Sequence, residues 1–254
     1  MKIATWNVNS IKSRLEHVKS WLAAQKPDVL LLQELKGLDF PAADFASLGY
    51  KSAAVPQKAY NGVALLSRHG IKVELESLPG DPADEQARYI EATINGLRII
   101  GIYAPNGNPV DSGKFPYKLA WLDRLKTRLE ALRREEIPLA IGGDFNIIPE
   151  PRDCYDPAAW AGDALFRPES RAKLRAMLNL GYTDAFRVFN REPEQYTFWD
   201  YQAGAWPRNN GIRIDHFLLS PGAADRLKSC VIDREPRGRD KASDHTPIVA
   251  ELSA

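Results

Sequence analysis

The stretch IPLAIGGDFNIIP, residues 137–149, decides the fold class. Ile137 to Ile141 forms an unbroken apolar run, the pattern of a strand covered on both faces, and Gly142-Gly143 then opens the chain into Asp144, Phe145 and Asn146. A carboxylate and an amide thus stand at the C-terminal mouth of a buried strand. Upstream, between Phe115 and Glu136, Leu119, Leu122, Leu125, Leu129 and Leu132 recur at helical spacing, with Lys and Arg on the other face. An amphipathic helix that feeds a buried strand is the repeating unit of α/β architecture.

The same grammar extends in both directions. Lys2 to Val8 is β-rich, and Ser10 is placed to cap a helix carrying Ile11, Leu15, Val18 and Leu22. Val29 to Leu32 is a second unbroken run, and it delivers Gln33 and Glu34; Val63 to Leu66 is a third. Tyr89 to Ile94 and Leu97 to Ile102 flank Asn95-Gly96, the signature of a two-residue type I′ hairpin, so antiparallel pairing enters and the sheets are mixed. Toward the C-terminus the pattern predicts a long surface loop over 149–168 and a helix over 169–180. Strands follow over 197–201 and 213–219, then a short helix from Ala223 to Cys230 and a last strand from Pro247 to Leu252. No low-complexity linker or fixed-period repeat divides the 254 residues, so a single domain over 1–254 with two similar α/β halves is expected.

Composition narrows the class of protein further. Hydrophobic residues make up 44% and charged residues 26%, enough to build a core and too apolar for a disordered chain. With 34 basic and 33 acidic residues the net charge is +1, so any affinity for nucleic acid must come from local charge. Cys154 and Cys230 are too few for a disulfide framework and lack zinc-site spacing, which points to a reducing compartment. The N-terminal residues show no apolar signal region and no run approaches a membrane span, so a cytoplasmic protein, nucleoid-associated in a bacterium and without membrane contact, is expected.

Five strand ends or adjoining turns present oxygen or nitrogen ligands: Asn7, Glu34, Asp144 with Asn146, Asp215, and Asp244 with His245. Hard cations such as Mg²⁺ take a few carboxylates and keep waters, which suits scattered acids converging on a phosphate. Hydrolysis also needs a group to position water and donors to stabilise charge on the phosphorus.

Six strings carry a specific resemblance: TWNVNSIKSR (5–14), LLQELK (31–36), GIYAPNG (101–107), GGDFNIIP (142–149), GIRIDHFLLS (211–220) and SDHTPIVAEL (243–252). In this order, over nearly the whole chain, they resemble the exonuclease III and AP endonuclease family. The resemblance implies a four-layer α/β sandwich of two mixed sheets flanked by helices, with the active site at one edge between the sheets. It implies metal roles for Glu34, Asn7 and Asp244, with Mg²⁺ as cofactor and Mn²⁺ as a substitute, and catalytic roles for Tyr103, Asp144, Asn146, Asp215 and His245. Phe198, Ile212 and Ile214 match the apolar pocket for a sugar without its base, and Arg88 matches a DNA-backbone contact. Two positions depart from some relatives, which carry Trp in place of Ile212 and Asp in place of Asn9. The implied partner is double-stranded DNA with abasic sites or damaged 3′ ends, acted on by a monomer. The implied reactions are cleavage 5′ to the abasic site and trimming of 3′ ends as exonuclease, 3′-phosphatase or 3′-phosphodiesterase.

Plainer readings stand beside these. An Asp at a strand end is usually a turn or cap residue, a lone His is usually structural, and Tyr103 can simply pack. Of Phe198 and Trp199, neighbours on a strand, only one faces the pocket. Lys12, Arg14, Arg237, Arg239 and Lys241 are candidate phosphate contacts only, and Arg133 to Glu136 is a solvated helix end. Two other functions fit the same scaffold: a nonspecific nuclease or other phosphoesterase, and a catalytically silent nucleic-acid-binding regulator. Intact ligands at all of these positions weigh against the second.

Overall fold

The computed structural model describes residues 1–253. In chain order the elements are β1 (Lys2–Asn7), α1 (Ile11–Gln25), β2 (Val29–Gln33), α2 (Ala42–Ser47), β3 (Lys51–Val55), β4 (Val63–Ser67), β5 (Lys72–Leu75), β6 (Tyr89–Ile94) and β7 (Leu97–Tyr103). There follow α3 (Lys114–Arg134), β8 (Leu139–Asp144), α4 (Pro157–Trp160), α5 (Pro168–Asn179), β9 (Thr183–Asp184), α6 (Ala185–Phe189), β10 (Asp215–Leu219), α7 (Pro221–Ala224), β11 (Leu227–Ile232) and β12 (Ile248–Leu252).

Two sheets form, with strand orders β11-β12-β1-β2-β4-β3 and β5-β6-β7-β8-β10-β9. Each holds one parallel pair, β1 with β2 and β7 with β8, among antiparallel neighbours, so both sheets are mixed.

Unbroken apolar runs follow from the layering. In β2, Val29 and Leu31 face the second sheet and meet Ile90, Ala92, Ile99 and Phe217. The alternate residues Leu30 and Leu32 face outward onto Val18, Trp21 and Leu22 of α1. In β8, Ala140 points to the inter-sheet core, whereas Leu139 and Ile141 meet Leu122, Leu125 and Leu129 of α3. A strand with both faces covered has no use for a polar alternate, and each large apolar side chain so buried contributes about 1.5–3 kcal/mol. Helix, sheet, sheet, helix is the resulting order of layers, as expected.

Gly142-Gly143 lets β8 fit closely between its neighbours in the second sheet, β7 and β10. A Cβ on Gly142 would lie 2.2 Å from the Phe217 ring, and on Gly143, at φ +151°, it would lie 2.0 Å from the Ile102 carbonyl oxygen. The hairpin turns at Asn95 (φ 49°) and Gly96 (φ 77°), the positive pair a type I′ turn requires. Ser10 accepts a hydrogen bond from Ser13 N and caps α1.

Several boundaries differ from the sequence reading. The helix expected from Ala223 to Cys230 ends at Ala224, and residues 227–232 are instead the edge strand β11, paired with β12 so that Cys230 enters the core. Residues 197–201 form no strand; Phe198 only bridges Ile212 and His245. The strand expected over 213–219 begins at Asp215, and β8 runs on to Asp144. Short exposed elements such as α2, β3 and β5 carry weak patterns and were not anticipated. Among the described residues no helix is long and apolar enough to cross a membrane.

Candidate active site

Strand direction gathers the polar residues at one edge of the sandwich. The parallel pairs β1/β2 and β7/β8 each release their C-terminal residues on the same side, which places Asn7 beside Gln33-Glu34 and Tyr103 beside Asp144. Strand β10 runs the opposite way, so its first residue, Asp215, pairs with Asp144, the last of β8. Strand β12, antiparallel to β1, is likewise preceded at this edge by Asp244 and His245.

Asn7 joins the two sheets. Its Nδ2 donates to Glu34 Oε1 at 2.8 Å and to Asp144 Oδ2 at 3.0 Å, while its Oδ1 accepts from Asn9 N. Every polar atom of this amide is therefore engaged in holding carboxylates and backbone beside the expected metal position.

His245 is buried, with Nδ1 2.8 Å from Asp215 Oδ2 and Nε2 3.8 Å from Asp144 Oδ2. Its carbonyl accepts from Trp6 Nε1 and its ring meets the Phe198 ring edge-on at 5.0 Å. Asn146, in the left-handed region at φ 50°, donates its N–H to Asp144 Oδ1 at 2.8 Å and its Nδ2 to Ala104 O at 2.9 Å. Asp244 accepts from Asn9 Nδ2 at 3.1 Å on the rim.

The electrostatics of the cluster are uneven. Burial, opposed by His245 but reinforced by the Asp215 and Glu34 charges, pushes the Asp144 carboxyl well above the usual carboxylate range. Burial disfavours charge on His245, yet Asp215 and then Asp144 outweigh it and raise the imidazole, favouring imidazolium. Burial also opposes charge on Glu34, but Lys36 Nζ, 2.6 Å from Oε2, holds that carboxyl below its ordinary value. Burial, with Glu34 and Asp144 nearby, raises the Tyr103 phenol far enough that it remains a proton donor.

A divalent cation fits this donor set. Glu34, Asp144 and His245 each offer one ligand atom within 4.8 Å of the others, and two closely placed carboxylates in a desolvated setting are what such an ion relieves. With His245 committed to Asp215, the carboxylate oxygens of the cluster are the donors left to a metal ion.

The cleft above them has a volume of about 300 Å³ and is shared with Tyr103, Asn146, Asp244, Phe198 and Ile214. Ile212 does not line it: fully buried, it packs beneath among Phe115, Ile148 and Cys154. Leu165 and Trp160, from the long loop after β8, take part in the wall instead. Arg88 stacks over Tyr103 at 4.8 Å and lines an adjoining hollow with Lys114 and Tyr117, one step from the acidic centre. Sequence reasoning missed Asn106, Lys36, Trp160 and Leu165. Asn106 was within reach, since it sits in the string containing Tyr103, but the loop residues belong to no periodic pattern. A larger hollow, about 390 Å³, is bounded by Met1, Asp28, His69 and Arg226 at the opposite strand ends and holds none of this chemistry.

Comparison with known proteins agrees with the geometry. The model of the Endonuclease/Exonuclease/phosphatase family matches residues 4–245. The chain is similar to the exodeoxyribonuclease III of Haemophilus influenzae, with 33% identity over 99% of this chain and 100% of that one. Among solved structures it resembles an AP endonuclease from Archaeoglobus fulgidus at 39% identity and TM-score 0.95. It also resembles a 3′-5′ exonuclease from Neisseria meningitidis at 41% identity and TM-score 0.97; both structures are covered in full, as is this chain. A Neisseria 3′ phosphatase bound to a product DNA hairpin is equally similar, at 41% identity and TM-score 0.97.

Proposed function

From the premise that this chain belongs to the Endonuclease/Exonuclease/phosphatase family, we propose that it is a Mg²⁺-dependent DNA-repair nuclease that cleaves 5′ to abasic sites and trims damaged 3′ ends. The observation that carries this reading is the convergence of Glu34, Asp144 and His245, the last backed by buried Asp215, on one cleft of about 300 Å³. The relatives' names support a DNA substrate: exodeoxyribonuclease, AP endonuclease, and a 3′ phosphatase with a DNA product.

Incision 5′ to an abasic sugar, removal of a 3′ nucleotide and removal of a 3′ phosphate all break the same bond, from phosphorus to O3′. One site thus serves all three. Asp144, dry and raised in pKa, positions the attacking water and accepts its proton. The His245 imidazolium, oriented by Asp215, faces the charge that builds on the phosphoryl oxygens, with the Asn146 amide beside it. Tyr103, still protonated, donates toward the phosphate or the departing O3′. A divalent cation held at Glu34 would supply Lewis-acid stabilisation of the phosphate when bound, leaving Asp144 to the water.

The apolar end, walled by Phe198, Ile214 and Leu165, accepts a sugar stripped of its base and gives a paired base no partner.

The test is direct. Purified protein with Mg²⁺ should nick a duplex carrying one abasic analogue and leave a 3′-hydroxyl, and should release phosphate from a 3′-phosphate end. Absence of both reactions in Mg²⁺ and in Mn²⁺, or retention of either by Asp144→Ala, overturns the reading. Equal cutting of undamaged duplex points to a nonspecific nuclease instead.

A further inference from the structure

Under the floor of the cleft lies a buried cation that the reaction described above does not use. Lys118, on α3, is fully buried, and no carboxylate among the described residues pairs with it. Its three ammonium protons are matched by three main-chain carbonyls: Asn106 O at 3.0 Å, Asn146 O at 2.5 Å and Ala164 O at 3.2 Å. Those acceptors come from three separate segments: the turn after β7, the turn after β8, and the long loop that supplies Trp160 and Leu165 to the cleft wall.

This arrangement is unusual for a lysine. A buried ammonium ordinarily carries a carboxylate partner or gives up its proton, because desolvation disfavours the charge. Burial does pull this group down, to about 7, while the Asp144 and Asp163 charges act in the opposite direction. A neutral amine would lose one of the three donated bonds, so the carbonyls themselves reward the charged form. The fit is close: a Cβ on Gly107 would lie 2.7 Å from Lys118 Cδ, which ties that glycine to the lysine stem.

The residue at the centre of this hub is Asn146. Its backbone is left-handed, an uncommon conformation for a side chain-bearing residue. Its N–H holds Asp144, its Oδ1 accepts from Asn106 Nδ2 at 3.2 Å, and its carbonyl is the one nearest to Lys118. Asn106 in turn gives its carbonyl to the same ammonium. Two of the three amides that line the cleft are thereby tied, through their own main chains, to one point on the longest helix of the fold.

We propose that Lys118 is a positioning residue for hydrolysis: one buried ammonium, bound by the carbonyls of Asn106, Asn146 and Ala164, sets both amides and the Leu165 wall against the substrate phosphate. The proposal rests on the nuclease reading given above. It acts on the chemical step, because a displacement of about 1 Å in a group that contacts the transition state costs on the order of 100-fold in rate while ground-state binding through the rest of the DNA persists.

The test compares Lys118→Met, which keeps the stem and removes the donors, with Lys118→Gln, which restores two of them closer to the backbone. Ser220→Ala is the control. It strips an equally buried bridge between Leu139 N and Ile137 O at the far end of β8, away from the cleft. Steady-state cleavage of an abasic duplex is measured well below each variant's melting temperature. The expected result is a fall in kcat of roughly 10- to 100-fold in Lys118→Met, with KM within about threefold of wild type. Lys118→Gln should recover part of that loss, and Ser220→Ala should keep its kcat.

A lysine variant that is folded and has wild-type kcat overturns the proposal, as does a rise in KM alone. Failure of both lysine variants to fold at low temperature also overturns it, since the ammonium would then be a requirement of the fold and not an adjustment of the site. An inactive wild type is a different failure and counts against the nuclease reading itself.

Discussion

Asn7 Nδ2 lies 3.0 Å from Asp144 Oδ2, a hydrogen bond that crosses from the first sheet to the second and binds residues 137 positions apart in the chain. The same nitrogen holds Glu34 at 2.8 Å, so one amide fixes the separation of the two carboxylates. Asn7→Ala should lower kcat by about 100-fold with little change in KM, because the carboxylates lose their common reference point. Kinetics on an abasic duplex check this, and a residual rate near wild type would show that packing of the sheets alone sets their spacing.

Asp215 is expected to be as important to the reaction as His245, although it lies too deep to touch substrate. It is fully buried and bound to His245 Nδ1. Asp215→Asn removes the charge that favours imidazolium while leaving the shape, and should reduce kcat roughly 100- to 10,000-fold. Single-turnover measurement with saturating DNA isolates that effect from binding; a loss confined to KM would contradict it.

Metal binding should be readable as stability. A cation held only by the folded chain raises the melting temperature, by the equivalent of about 2.7 kcal/mol at a hundredfold excess over its dissociation constant. Mg²⁺ should therefore shift the wild-type transition upward, EDTA should reverse the shift and abolish cleavage, and Glu34→Gln should show neither response. A Mg²⁺-induced shift that persists in Glu34→Gln would place the ion elsewhere.

Acid should destabilise the fold through a histidine outside the cleft. Burial, with the Arg213 charge beside it, lowers His216 to about 4, so the native state holds it neutral, accepting from Arg213 Nη1 and donating to Ile147 O. The unfolded chain binds that proton near pH 6.5. The contribution is thus complete above about 6.5 and is lost as pH falls toward 4, to a total of roughly 3 kcal/mol. His216→Gln can keep both bonds and has no proton to gain. Urea titrations at pH 7, 5.5 and 4.5 should show the wild type losing more stability than the variant across that window, and parallel losses would exclude His216 as the cause.

Much of this was legible without coordinates. The run from Ile137 to Asp144, the leucines of α3 and the Asn95-Gly96 turn carry their structure in local periodicity and backbone preference, and each appears in the fold with boundaries shifted by a few residues. The acids at the strand mouths were visible because parallel strands deliver their C-terminal residues to one side. Cys230 misled, since the short run from Ala223 onward fits helix and strand alike, and only pairing with β12 decides between them. Ile212 misled for another reason: its neighbours Phe198 and Ile214 do reach the cleft, but depth below a surface is not written in spacing.

By itself the sequence determined the α/β layering and the inventory of acids, amides and one imidazole, because hydrophobic period and residue chemistry are local properties. Only the tertiary structure decided which of them meet. Asn7 holding Glu34 to Asp144, Lys118 gathering three carbonyls and Leu165 taking the wall from Ile212 all depend on contacts between distant segments, and those contacts are fixed by the packing of two sheets that no local pattern encodes.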